Sequence, residues 1–324
     1  MDEFTFIDQI KQSLYKQPAL VKGIGDDAAV FRQSAQDIVT AADTLVEDVH
    51  FSRALMDAFY IGYRALAANI SDIAAMGAAP AFYLVSIVIP DPCSDEELND
   101  IYKGMSYAAS DHRMDLIGGD TVSGNELSIA ITVIGFVNRK QARLRSAAEP
   151  GDVLFVTGTL GDAAAGFHIL NSNKFYKDSS YYMDRHRMPQ IRSAFAKQLE
   201  PLTRVALNDI SDGLASEANE IAEASQVSLT IYENQLPVRD SFEQFSEEEQ
   251  HKWKLYGGED FELLGAVPES EWEQLKSIAA RNSTPLTAIG YANNRENKDH
   301  HVWLVDDSHT PKRLLKKGYT HRSR

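Results

Sequence analysis

Cysteine is all but missing from this sequence: Cys93 is the only one among 324 residues. A single thiol excludes an intrachain disulfide and any multi-cysteine zinc or iron–sulfur site. Long apolar runs are missing too, since no stretch reaches the roughly 18 residues that a membrane-crossing helix needs. No membrane partner is therefore expected. The opening residues, MDEFTFIDQIKQSLYKQ, lack the basic start and apolar run of a signal peptide, so a cytoplasmic protein is expected. Positive charge is in short supply, with 32 Lys and Arg against 47 Asp and Glu and a formal net charge of −15. Such a field keeps a protein soluble and repels phosphate backbones, which argues against a nucleic-acid partner. Familiar nucleotide signatures are absent as well. No G-x-x-x-x-G-K-[ST] occurs, which excludes a P-loop. The Gly23–Gly25 stretch fails as G-x-G-x-x-G because residue 28 is alanine. There is no G-x-S-x-G elbow, and the acidic motifs lack the calcium-loop pattern D-x-[DN]-x-[DN]-G.

What is present resembles an ordinary globular chain, with 44% hydrophobic and 24% charged residues. Its length suggests two domains. Residues 26–31 and 37–43 read as short strands, followed by a helix from about Asp57 to Gly77 with Leu66, Ile70, Ile73 and Gly77 at helical spacing. A strand over 81–90 precedes a helix that opens at Ser94 with acids in its first turn. MDLIGG and 127–137 read as two more strands. This order predicts an α+β layer, a mixed sheet with helices on one face, over residues 1–138. A turn-rich basic connector, 139–152, leads to an α/β domain over 153–324. There, strands are expected at 153–158, 227–232, 260–267 and 302–305. Helices are expected after 158 and near 190–199 and 213–224. The stretch 171–190 is polar and aromatic without clear period, either an insertion or a mobile loop over a site.

Six short acidic motifs carry the chemistry: GIGDDAAVF (23–31), AADTLVEDVHF (41–51), NISDIAAMG (69–77), GGDT (118–121), NDISDG (208–213) and YGGEDFELL (256–264). Any one of them is explained by aspartate and glycine as turn residues. Together they place Asp27, Asp43 and Asp120 at strand ends. Asp72 sits within a helix, off its apolar stripe and on the side of Asn69 and Met76. Converging carboxylates need counter-charge, and oxygen-only ligands favour magnesium or calcium over zinc. Magnesium bridging carboxylates to phosphates points to nucleotide chemistry. Alternatives stay open: Asp26 in place of Asp27, Asp209 and Asp212 as helix-start residues, His50 as structural, and Arg145 as one more linker charge. GTLGDAAAG (158–166) joins strand to helix, either facing an anion or forming a tight packing turn.

In order and spacing these motifs, with RSAAEPGDVLFVTGTLGDAAAGF and NDISDGLASE, resemble thiamine-monophosphate kinases of the aminoimidazole ribonucleotide synthetase-like superfamily. The resemblance spans about residues 20–320. It implies a two-domain fold, with an N-terminal α+β domain that dimerises through its sheet, a C-terminal α/β domain, and ATP and magnesium in the cleft between them. It implies Asp27, Asp43, Asp72, Asp120, Asp209 and Asp212 as ligands of several magnesium ions. Tyr102, Gly119, Asp120, Arg145 and Ser211 match nucleotide-side positions. His50 and Glu259 match positions contacting thiamine monophosphate, and Tyr319 takes the place of a tryptophan common in relatives. Asp120, Asp212 and Arg145 are thereby implicated in catalysis. Ala41 and Ala42 replace hydroxyl residues found in many relatives, leaving the number of metal ions open. The acceptor is a phosphate monoester with a second pKa of about 6, so it needs no base to become a nucleophile. Rival readings are another ATP-using enzyme of the superfamily or a nucleotide-binding regulator. Selenophosphate synthetase is disfavoured because Cys93 lies elsewhere than that enzyme's N-terminal reactive segment.

Overall fold

The computed structural model describes residues 15–22, 30–31, 35–294, 300–306, 308 and 310–317. The chain divides into two compact units, Met1–Ile73 with Ala78–Ala142, and Ala74–Gly77 with Arg143–Arg324.

In the first unit β1 (Leu20–Lys22) pairs antiparallel with β2 (Val30–Phe31). Then come β3 (Gln36–Val46), α1 (Ala58–Ala75), β4 (Ala79–Pro90), α2 (Asp95–His112), β5 (Asp115–Gly124) and β6 (Ser128–Asn138). The sheet order is β3-β6-β4-β5, with β4 and β5 parallel and the other pairs antiparallel, the mixed sheet the pattern predicts. Ile129, Ile131 and Val133 alternate into the core, and at Gly135 the missing side chain makes room for Ile73 of α1. The two helices cross in close contact. A Cβ at Gly62 would overlap the Ile101 carbonyl, and one at Gly104 the Phe59 carbonyl. As expected, Ser94 caps α2, its hydroxyl accepting from the Glu97 N–H at 3.1 Å, with Asp95, Glu96 and Glu97 complementing the helix dipole. The other face of the sheet leaves Ile38 and Val122 exposed.

The second unit carries β7 (Asp152–Thr157), α3 (Asp162–Leu170), α4 (Ser179–Arg187), α5 (Ser193–Lys197), β8 (Ala206–Asp209), α6 (Leu214–Ser225) and β9 (Ser228–Tyr232). It continues with α7 (Glu247–Tyr256), β10 (Leu263–Pro268), α8 (Trp272–Arg281), β11 (Leu286–Asn293), β12 (Val302–Val305) and β13 (Pro311–Arg313). Seven strands run in the order β13-β12-β9-β11-β7-β10-β8, with β9 and β12 parallel. Both faces are covered. Leu154 and Val156 pack with α6 residues Ala218 and Ile221, while Val153 and Phe155 pack with Phe195, Leu275 and Ile278. That explains why β7 reads as a continuous apolar run.

The expected strand at 260–267 begins only at Leu263, because Glu259 and Phe261 take positive φ of 68° and 50° and turn the chain first. Within the stretch 171–190, Ser179–Arg187 forms α4, whose Tyr182 is fully buried against Phe242, Phe245 and Trp253, while Phe175 before it is exposed. Helices α7 and α8 and strands β8, β11 and β13 have no counterpart in the sequence expectation. No helix among the described residues is long and apolar enough to cross a membrane.

Candidate active site

Asp43 lies inside β3 rather than at its end, and its backbone N–H donates to the Asn69 side-chain oxygen at 3.1 Å. Asn69 is fully buried and donates in turn to the Ala65 carbonyl, so this side of α1 is fastened to β3 at Asp43. Asp72 stands three residues on, on the same side of the helix. Asp43 and Asp72 are thereby brought to neighbouring positions. Asp120 is not: it too lies within its strand, β5, and the sheet register separates it from Asp43. Asp43 shares a row with Ile131, Val85 and Gly119, while Asp120 shares the next row with Ser86, Ala130 and Thr44. Three strand spacings, roughly 14 Å, separate the backbones of the two strands at these positions. Gly119 is required locally, since a Cβ there would overlap the Val85 carbonyl. Tyr102 is buried on α2, and burial pushes its phenol well above the usual range. His50 closes the turn after β3: its Nδ1 accepts from the Val46 N–H at 3.0 Å, which puts the proton of the neutral ring on Nε2.

In the second unit the NDISDG and YGGEDFELL motifs are joined backbone to backbone. The Glu259 N–H donates to the Ser211 carbonyl at 2.7 Å, Phe261 N–H to Ile210 at 3.0 Å, and Ile210 N–H to Glu262 at 2.7 Å. Asp209, almost fully buried, ends β8, and Asp212 follows in the turn. Neither caps α6, whose cap position is Gly213 with no side-chain bond. Arg145 is more than one linker charge. Its Nε donates to Asn208 Oδ1 at 2.8 Å and its Nη1 reaches Glu220 at 3.4 Å, which fixes the guanidinium beside this motif.

A residue that sequence reasoning passed over completes the group. Buried Glu217 accepts from the Asn208 amide and from the Asp212 N–H. Burial, and then the negative charge of Asp209, push its carboxyl up to about 7. Its signal was present in NDISDGLASE, where the last letter stands one turn into the helix on the side of the aspartates. Crowded oxygen donors whose charges oppose one another are what a hard divalent cation relieves, so the donor chemistry of Asp209 and Asp212 fits magnesium. Among the described residues no three His, Cys, Asp or Glu side chains stand close enough together to form a metal site. Asp26, Asp27 and Tyr319 lie outside the described residues.

In the GTLGDAAAG turn the amides at the start of α3 are engaged within the protein. Gly161 and Ala163 donate to the two oxygens of Asp260, at 2.7 and 3.0 Å. Beside it, fully buried Glu262 accepts from Thr157, Arg185 and Arg192. Burial alone would raise the Glu262 carboxyl, but Arg185 and Arg192 hold it below the ordinary range.

Two family models match the chain, the N-terminal domain of AIR synthase related proteins over residues 25–137 and the C-terminal domain over 149–302. A thiamine-monophosphate kinase of Bacillus subtilis (strain 168) is 45% identical over 328 residues, covering 99% of both chains. A crystal structure of the same enzyme type from Stenotrophomonas maltophilia K279a superposes with a TM-score of 0.83 at 32% identity, covering 93% of this chain and 96% of that one. A related chain solved as a complex with AMPPCP and TMP superposes with a TM-score of 0.78 at 28% identity, covering 99% and 97%. Whole-length identity of this order, with both domain models matched in sequence, places the chain in the thiamine-monophosphate kinase family of the AIR synthase-related proteins.

Proposed function

We propose that this chain phosphorylates thiamine monophosphate at the expense of ATP, giving thiamine pyrophosphate and ADP, with its acidic motifs as magnesium ligands. The observation that supports the metal assignment is that Asp209 and Asp212 fall in one short turn, which Glu217 ties through the Asp212 N–H and the Asn208 amide, with Arg145 held on Asn208 beside it. Family membership and the relative that holds AMPPCP and TMP support the substrate assignment. Asp43, Asp72 and Asp120 on the first unit, with Asp27, and Asp209 and Asp212 on the second are the proposed ligands. When bound, magnesium neutralises phosphate charge and orients the transferring group in line.

The chain's own groups do the rest. Arg145, held by Asn208 and Glu220, offers a fixed cation to a phosphate oxygen. Tyr102, Gly119 and Ser211 line the nucleotide. His50 presents Nε2 to the thiamine monophosphate, joined there by Glu259 and Tyr319. No general base is needed, because the acceptor phosphate is mostly a dianion near neutral pH. We place the ATP-consuming enzyme in the cytoplasm. The N-terminal residues 1–138 carry the dimer interface, a homodimer seated on the sheet face that leaves Ile38 and Val122 exposed.

Steady-state turnover with ATP, magnesium and thiamine monophosphate tests the acceptor. Thiamine pyrophosphate accumulating one-for-one with ADP is the expected result. ATP binding with no thiamine pyrophosphate would reassign the chain to another acceptor of the superfamily or to a nucleotide-binding regulator.

A further inference from the structure

Of the YGGEDFELL motif, only Glu259 enters the proposed site, yet the two acids that follow it at alternate positions are the more deeply buried. Asp260 is 2% exposed and Glu262 fully buried. Between them the backbone does something costly for ordinary side chains: Glu259 and Phe261 both adopt left-handed φ, 68° and 50°. Such a turn persists only where its surroundings over-determine it.

Here they do so from both sides. The Asp260 carboxylate is held by the Gly161 and Ala163 amides at the start of α3, at 2.7 and 3.0 Å. Glu262 is gripped by both Nε and Nη2 of Arg192, at 2.6 and 2.7 Å, and by the Thr157 hydroxyl at 2.6 Å. Arg185 spans the two: its Nη2 donates to Glu262 at 2.7 Å and to the Asp260 backbone carbonyl at 3.4 Å. Arg185 comes from α4, in the segment whose role the sequence left open. Its Nε and Nη1, and Asp162 Oδ1, are buried without hydrogen-bond partners. Buried ion pairs with incomplete partnering are poor devices for stability. Their effect here is to fix one conformation of residues 259–262, whose amides in turn hold the Ser211 and Ile210 carbonyls.

We infer that Asp260, Glu262 and Arg185 are positioning residues that lock the Glu259 turn in its left-handed form, so that the substrate-facing carboxylate and the Ser211 loop are aimed together. Through Arg185, helix α4 of the 171–190 segment is accordingly part of the backing of the site. This rests on Glu259 contacting thiamine monophosphate.

The test compares Asp260→Asn, Arg185→Lys and Glu259→Ala for KM of thiamine monophosphate, KM of ATP and kcat, together with amide hydrogen exchange at Glu259 and Phe261. Asp260→Asn is expected to raise KM for thiamine monophosphate about tenfold while KM for ATP stays within about twofold. In the Glu259→Ala background it should add less than about twofold, since both act through one carboxylate. Both positioning variants should speed exchange at the two amides. Arg185→Lys keeps a cation beside Glu262 and supplies the answer if Asp260→Asn does not fold. Unchanged exchange and unchanged KM in a folded variant would overturn the inference, as would an effect that multiplies fully with Glu259→Ala. If Glu259→Ala leaves KM for thiamine monophosphate unchanged, the substrate reading of Glu259 fails, and the exchange rates still decide whether the turn is locked.

Discussion

Individual side chains in this protein are held by polar groups more than by position in the sequence. Asp260 shows how that appears in solution. Burial, and then the neighbouring Asp162 carboxylate, push its carboxyl from the ordinary 3.8 up to about 7 against the pull of two backbone amides. A carboxyl whose folded pKa is raised favours folding most when protonated. Its contribution is therefore complete below about pH 4 and is lost as pH rises through about 7. Melting temperature is expected to fall between pH 5 and 8 in the parent and to fall less steeply in Asp260→Asn; identical slopes would exclude Asp260 as the source. Asn69 makes a second case. Replacing it with alanine leaves the Asp43 amide without its side-chain acceptor in a partly buried setting, at a cost of about 1 kcal/mol by denaturant unfolding. Magnesium affinity should weaken with it, because Asp43 loses its tie to the helix that carries Asp72.

Helix and strand identities were legible where the pattern is local. The Leu66, Ile70 and Ile73 stripe gives α1, Ser94 with its three acids gives α2, and the alternation of 127–137 gives β6. Ser94→Ala is expected to cost about 1 kcal/mol through the lost cap. Gly104→Ala should cost more, about 1–3 kcal/mol, because its methyl would enter the Phe59 carbonyl where the two helices cross. Equilibrium unfolding of both variants checks the order. Helix α4 was not legible because Tyr182 packs on Phe242, Phe245 and Trp253, some sixty residues or more distant in the chain, and Arg185 and His186 read as surface charge although they are buried. The same holds for Asp260 and Glu262. Their partners Gly161, Ala163, Arg185 and Arg192 come from other motifs, so that two acids in a glycine-rich turn read as solvent-facing. Candidate ligands could be named from the sequence because metal and phosphate chemistry requires carboxylates wherever they lie in the chain. Their spatial grouping could not, since the separation of Asp120 from Asp43 is set by strand order rather than by sequence distance.

For the molecule as a whole, charge and surface set the behaviour. With a formal charge of −15, the protein must bring anionic substrates to acidic motifs, so activity should depend steeply on free magnesium. The exposed Ile38 and Val122 on the sheet of the first unit bear on the proposed dimer. Ile38→Lys, placed on that sheet, is expected to shift the protein from dimer to monomer in sedimentation, and an unchanged dimer would locate the interface elsewhere. The most direct test of the account is thiamine pyrophosphate formation across a magnesium titration, for the parent chain beside Asp120→Asn and Asp212→Asn. Magnesium-dependent product from the parent, with a loss on the order of a hundredfold or more in both variants, is the expected result. Full activity in the variants, or product formed without a divalent cation, would contradict it.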